Sequence, residues 1–327
     1  MSSPGRPAPS TAAVVVALLI VYVVWGSTYL AIAVMVETMP PLLAAGARFG
    51  TAGLIMLAFL AARSRLRPEP AEMKERVTAA HWRSAVIIGA LLLVGGNGGV
   101  VLAELRIPSG VAAVLVAIDP ILLAAFDAIL THRRPSGLVI TGLVAGIVGV
   151  VILLVPVEGL DNLDPIGVLL AVAAAFTWAV GSIYARSAPL PRSGVRASGM
   201  EQLSGAAGLI LAGSLLGELG QIDVSTFSTA SILAVAYLVV FGSIVAFTAY
   251  TWLLANVPIS TVATYAYVNP IVAVALGAVI LSEPITPRTI IASVIIVGAV
   301  AAMVSGRPRT DSEAQTARES SAALEPE

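Results

Sequence analysis

Ten apolar runs divide this chain, at roughly 12–36, 42–62, 84–103, 111–131, 137–155, 165–185, 199–217, 229–255, 260–281 and 288–304. Each is long enough to span a bilayer as a helix, which takes about 20 mostly apolar residues. The basic residues fall on alternate connections. The N-terminal tail, the even-numbered loops and the C-terminal tail hold fifteen of the eighteen Lys and Arg residues. They are Arg6, Arg63, Arg65, Arg67, Lys74, Arg76, Arg83, Arg133, Arg134, Arg186, Arg192, Arg196, Arg307, Arg309 and Arg318. The odd-numbered loops hold Arg106 and Arg288, and Arg48 lies inside a run. Short cytoplasmic loops retain Lys and Arg, so the asymmetry sets orientation. It predicts an all-α, multi-pass protein of the cell inner (plasma) membrane with both termini cytoplasmic.

Composition narrows the field. Apolar residues make up 58% of the chain and charged residues 11%, against about 25% charged in soluble domains. No stretch remains for a soluble domain of about 100 residues, so any chemistry is expected among the helices. There is no basic stripe with interleaved aromatics, and no nucleic-acid partner is expected. The absence of cysteine excludes disulfides, thiolate metal sites and Cys nucleophiles. His81 and His132 sit at predicted helix ends in no metal-ligand spacing, so no cofactor or metal is expected. Ala31-Ile32-Ala33 resembles a cleavage site, but the apolar stretch before it is longer than a signal core of 7–15 residues. It is read as the first transmembrane helix. Residues 1–11 and 305–327, rich in Ser, Pro, Ala and charge, are expected to be cytoplasmic tails, the latter disordered.

The chain repeats itself. Ala52-Gly53-Leu54-Ile55 recurs as Ala207-Gly208-Leu209-Ile210, 155 residues later. Trp25 with Ser27 and Tyr29 is echoed by Trp178 with Ser182 and Tyr184. Pro108–Pro120 aligns without gaps on Pro258–Pro270 at an offset of 150, which lays Asp119-Pro120-Ile121 over Asn269-Pro270-Ile271. Two repeats follow, 12–155 and 165–304. Each has five helices, an odd number, so the second enters the membrane inverted. Inverted repeats characterise secondary transporters, whose sites lie near the midplane between the halves.

Val24-Trp25-Gly26-Ser27-Thr28-Tyr29, Ala47-Arg48-Phe49, Asn97-Gly98, Ala103-Glu104 and Pro108-Ser109-Gly110 follow in order. Tyr267-Val268-Asn269-Pro270 comes later, with Glu283-Pro284 beginning thirteen residues after Pro270. In these elements, over about residues 12–305, the chain resembles the EamA-type transporters of the drug/metabolite transporter (DMT) superfamily. The resemblance implies ten helices with both termini inside and a central cavity lined mainly by helices 1, 3, 4, 6, 8 and 9. It also implies export of small metabolites or amphipathic compounds, often against protons. One departure stands out. Members often close the fourth helix with an acid matching Glu283, where this chain has Arg133.

Ionisable groups at membrane depth cost about 2.5–3.5 kcal/mol each on insertion scales and tend to face a cavity or a partner. Asp119 lies about eight residues into the fourth run, roughly 12 Å deep at 1.5 Å per residue. Pro120 follows it and removes a backbone donor, a helix break matched by Pro270. An acid beside such a break suits a cation or a proton, or else a structural hydrogen bond. Arg48 lies at similar depth, where it is expected to pair with Asp119 or to snorkel outward. Asp127 is expected to reach the cytoplasmic interface or Arg133. Glu201 and Gln202 are placed at the cytoplasmic surface, and Glu104 beside Arg106. Asn97, within Gly95-Gly96-Asn97-Gly98-Gly99, offers its amide to a cavity or to a neighbouring helix. Its glycines are no phosphate loop, having no strand before them and no Lys-Ser/Thr after. Tyr184 and Trp252 read as interfacial anchors. Trp25, Tyr29, Trp178, Tyr265, Tyr267 and Asn269 are the candidate cavity lining. Stacking and cation–π contacts there would suit amphipathic or cationic substrates.

The expectation is a secondary transporter exporting a small, amino-acid-like metabolite or an amphipathic compound by alternating access, coupled to protons through Asp119. An uncoupled facilitator or exchanger is the alternative. An enzyme would need converging His, Asp or Glu residues near one face, and the sequence offers none. The expected partners are the substrate, protons and lipid, with the chain a monomer or homodimer.

Overall fold

A computed structural model describes residues 9–66, 75–107, 112, 115–132, 135–154, 164–280 and 287–305. Expectations resting on Arg6, Arg67, Lys74, Pro108-Ser109-Gly110, Arg133, Arg134, Glu283-Pro284 and most of both tails lie outside the described residues. Helices are the regular structure among the described residues: α1 Thr11–Val36, α2 Pro41–Leu66, α3 Ala79–Glu104, α4 Asp119–Thr131, α5 Gly137–Leu154, α6 Pro165–Ser187, α7 Gly194–Leu215, α8 Thr229–Asn256, α9 Tyr265–Ile280 and α10 Pro287–Ser305. A short helical segment, Ile259–Ala263, leads into α9. Of these, α1, α2, α3, α6 and α8 are long and apolar enough to cross a membrane. Large apolar side chains face outward along them, among them Leu54, Phe59, Leu169 and Leu233. Such a surface is costly in water and suited to lipid.

Polar residues in the connections set where helices begin. Ser10, Ser193 and Ser228 accept the amides of Ala13, Arg196 and Ser231 at the starts of α1, α7 and α8. Thr78 and His81 form a reciprocal capping box at α3. Asp164 accepts from Ile166 at 2.8 Å and precedes Pro165 at the first position of α6, where a missing N–H costs nothing.

Helix pairings come in matched sets. The α2·α7 and α5·α10 contacts join counterpart helices of the two repeats. The α1·α9 contact is matched by α6·α4, α1·α8 by α6·α3, and α2·α8 by α7·α3. Counterparts also share an irregularity. Helix α3 widens to π-type turns over Gly89–Gly98, and α8 does so over Leu238–Ala246. Small residues let neighbours press close there. A Cβ on Gly89 would stand 2.6 Å from Gly205 N and 2.7 Å from Glu201 O on α7.

The two prolines behave differently. A break at Ala117–Ile118 precedes Pro120, which sits in the first turn of α4. Pro270 lies inside α9, which runs on through it, and the interruption falls earlier, at Thr264. Pro270 is therefore not a helix break: the helix runs from Tyr265 through it, and the lost i−4 bond would fall at Ala266, inside α9.

Candidate functional site

A cavity opens where the two repeats meet, with about 730 Å³ of empty space, part of it open. Trp25, Tyr29, Arg48, Asn97, Trp178, Tyr265 and Asn269 all line it, with Phe49 and Phe247 among others. Helices α1, α2, α3, α6, α8 and α9 supply these walls.

The aromatic wall is a single cluster. Trp25 stacks edge-on to Trp178 at 5.5 Å and to Tyr265 at 5.2 Å, and lies 4.8 Å from Tyr250. Such pairs contribute about 0.5–1.5 kcal/mol beyond their buried area. Their polar ends are tied down. Trp178 Nε1 donates to the Tyr250 hydroxyl at 2.9 Å, and that hydroxyl shares a hydrogen bond with Ser182 Oγ at 2.6 Å. Trp25 Nε1 donates to the Gly242 carbonyl at 3.3 Å. Gln202 Nε2 donates to the Ser243 carbonyl at 3.0 Å. Two carbonyls in the widened stretch of α8 thus gain side-chain partners, a frequent arrangement where π turns build functional sites.

Tyr265 joins the wall to the acid behind it. Its hydroxyl donates to Asp119 Oδ2 at 2.9 Å. Asp119 is 1% exposed, and its Oδ1 has no hydrogen-bond partner. With its amide oriented to suit its neighbours, Asn269 donates to the carbonyls of Tyr265 at 3.0 Å and Tyr22 at 3.2 Å. Asn97 Oδ1 is buried without a donor.

Several expectations are corrected. Arg48 neither pairs with Asp119 nor snorkels: it is 3% exposed, donates from Nε to Ser243 Oγ at 2.9 Å, and stacks 4.5 Å over the Phe49 ring. Depth along a helix did not fix which way it points. Tyr267 does not line the cavity. Two residues from Tyr265 on a helix, it faces nearly the opposite way, where its hydroxyl donates to Leu143 O at 3.2 Å and its ring covers Gly146. Glu201 and Gln202 are fully buried in the bundle, not at a surface. The Ser193 cap starts α7 at Gly194 and carries them a turn or more inside. Arg106 pairs with Asp164 at 3.0 Å, leaving Glu104 Oε1 without a partner. That bond, with the Ile166 amide, holds the Asp164 carboxyl below its ordinary range. Asp127 lies within electrostatic reach of Arg186. Sequence reasoning gave no site role to Tyr250 or Phe49 and passed over Ser243 and Phe247. Their only signals are polar or aromatic character inside apolar runs.

The comparisons agree with this architecture. The EamA-like transporter family matches twice, over residues 12–155 and 165–305. An uncharacterised inner membrane transporter of Escherichia coli strain K12, YedA, is 36% identical over 294 residues, covering 89% of this chain and 90% of its own. A probable amino-acid metabolite efflux pump of the same strain is 28% identical over 292 residues, covering 86% and 91%. A solved crystal structure superposes with a TM-score of 0.70 at 23% identity over 90% of this chain and 96% of its own, which shows the fold. With a family match across both repeats, relatives that are themselves transporters and one cavity between the halves, the chain belongs to the EamA-like transporter family of the DMT superfamily.

Proposed function

We propose that the chain exports a small amino-acid-like or amphipathic metabolite across the inner membrane by alternating access, with a proton moving the other way through Asp119. It crosses the membrane ten times as two inverted five-helix repeats with both termini cytoplasmic. The basic residues on alternate connections and the matched helix pairings support that topology. One observation carries the coupling. A buried carboxyl with one oxygen unpartnered is bonded through the other to Tyr265, which lines the cavity. A change of charge at Asp119 would reach the cavity wall through one hydrogen bond. The relative named as an amino-acid metabolite efflux pump supports the substrate class and direction.

The same hydrogen bond favours a second reading, in which Asp119 only braces Tyr265 and the protein is an uncoupled facilitator or exchanger. Asp119→Asn separates the two, because it keeps the shape and cannot titrate. In proteoliposomes, coupling predicts loss of efflux driven by a pH gradient while exchange without a gradient continues. Normal pH-dependent efflux by Asp119→Asn refutes coupling at this residue. A reporter fused after Asp223 is expected to read periplasmic, and one after Arg192 cytoplasmic. The reverse would remove the topology.

A further inference from the structure

We infer that Arg48 is the anion anchor of the cavity and that the transported compound bears a carboxylate on an apolar body. The inference rests on the transport reading above and narrows its substrate.

The guanidinium is buried at 3% exposure and lines the cavity. Among the described residues no carboxylate lies within ion-pair distance of it; the ion pairs found are Arg106–Asp164 and Arg196–Glu75. The buried acids Asp119, Glu104 and Glu201 all leave it unpaired, and Asp119 is engaged by Tyr265. Its one side-chain acceptor is Ser243 Oγ, at Nε. Nη1 has no acceptor.

The head group is held rather than loose. Phe49 lies under it, Ser243 fixes Nε, and Gly242 leaves the room Nη2 needs, since a Cβ there would stand 2.9 Å from it. Gln202 in turn binds the Ser243 carbonyl. Helices α2, α7 and α8 therefore hold in place a cation whose Nη1 has no acceptor. A buried charge is normally paired or hydrogen-bonded in full. Guanidinium presents its donors in a planar fork that fits a carboxylate bidentately.

The rest of the wall sets what the carboxylate is attached to. Trp25, Tyr29, Trp178, Phe49 and Phe247 give it an aromatic, apolar character. Asn97 Oδ1 is an unmet acceptor on the same cavity and suits an N–H on the substrate. A cation without a carboxylate meets an unpaired positive charge here, so this cavity selects against the cationic substrates its aromatics alone would admit.

Two matched probe pairs test this with the full-length protein in detergent: 3-phenylpropanoate against 3-phenylpropanamide, and phenylalanine against phenylalaninamide. Binding is read from the fluorescence of Trp25 and Trp178, and counterflow in proteoliposomes reports transport. The wild type should bind each carboxylate at least about 10-fold more tightly than its amide. Arg48→Gln should weaken carboxylate binding by about 30-fold or more and abolish the preference within each pair. Arg48→Lys keeps the charge without the fork, so it should bind carboxylates more weakly yet still prefer them. Arg48→Lys also decides the matter if Arg48→Gln does not fold. Equal binding of amide and carboxylate by the wild type, or preference retained by Arg48→Gln or lost in Arg48→Lys, overturns the anchor and leaves the transporter reading standing. Failure of all four compounds to bind or move would overturn the assignment of a carboxylate on an apolar aromatic body, while transport itself is judged by the Asp119→Asn assay.

Discussion

Removing one carboxyl from the loop between α7 and α8 should loosen the start of α2, more than 170 residues away in sequence. Glu218 is 5% exposed, with its oxygens 3.1 Å from Leu42 N and 2.8 Å from Leu43 N. These amides open a helix that begins at Pro41, where the first turn leaves its donors without intrahelical partners. Gly217, at φ +84°, turns the chain so that Glu218 points back into the bundle. A lost helix cap costs about 0.5–2 kcal/mol, and an anion at a partly buried helix N-terminus adds up to about 2 kcal/mol. Glu218→Ala should therefore cost about 2–4 kcal/mol. Glu218→Gln, which keeps acceptors and loses the charge, should cost about half of that. Thermal unfolding in detergent should fall by about 5–10 °C for Glu218→Ala. Hydrogen exchange at Leu42 and Leu43 should accelerate by about 30-fold or more. A melting temperature within about 1 °C of wild type, with unchanged exchange at those two amides, would refute the cap.

Gly146→Ala should destabilise by about 1–3 kcal/mol through overpacking, because its Cβ would overlap the Tyr267 ring at Cε2. Gly298→Ala, with open space around it, should melt at or above wild type, and equal melting of the two variants would contradict the packing role given to Tyr267. Acidification tests the Asp164 cap. Its carboxyl is held below its ordinary value in the folded protein, so its contribution is present at neutral pH and is lost as pH falls below about 4. Protection of Ile166 and Gly167, taken relative to the intrinsic exchange rate at each pH, should fall there in wild type and be low at every pH in Asp164→Ala.

Much of the fold was legible because lipid imposes a blunt rule: long apolar runs with basic residues on alternate connections. The repeat was legible because a duplication leaves its offset behind, as at Asp119 and Asn269. What escaped depends on direction and distance. Arg48 could be placed in depth but not in azimuth, so its turn toward Ser243 was invisible. Glu201 read as a surface residue because polar neighbours mark a helix start, whereas Ser193 starts α7 earlier. Glu218 offered no signal at all, since its partners are two backbone amides in another repeat. The widened turns of α3 and α8 accompany close helix approaches at small residues and, in α8, side chains that meet its carbonyls, and neither is a property of a local window. Tyr265 and Tyr267 looked alike until the helix turned them apart.

The two repeats supply matching walls, but the polarity belongs to single positions within them. Trp25 and Trp178 are counterparts at an offset of 153, and both face the cavity. Arg48 has Leu203 as its counterpart at 155, and Asn97 has Phe247 at 150. Asp119 and Asn269 differ by a single amide, yet they are not interchangeable, and Tyr265 is the reason. Its hydroxyl donates to Asp119, while its carbonyl accepts from Asn269. One position needs an acceptor and the other a donor. The exchange variant Asp119→Asn with Asn269→Asp keeps composition and net charge. It sets a carboxylate against the carbonyls of Tyr265 and Tyr22, where only a donor fits. That unmet buried group should cost about 1–3 kcal/mol, lower the melting temperature by several degrees, and leave gradient-driven efflux no better than in Asp119→Asn alone. Were the acid required only somewhere on the pseudo-symmetric pair, the exchange would restore efflux at wild-type stability, and the assignment of unequal roles to α4 and α9 would fall.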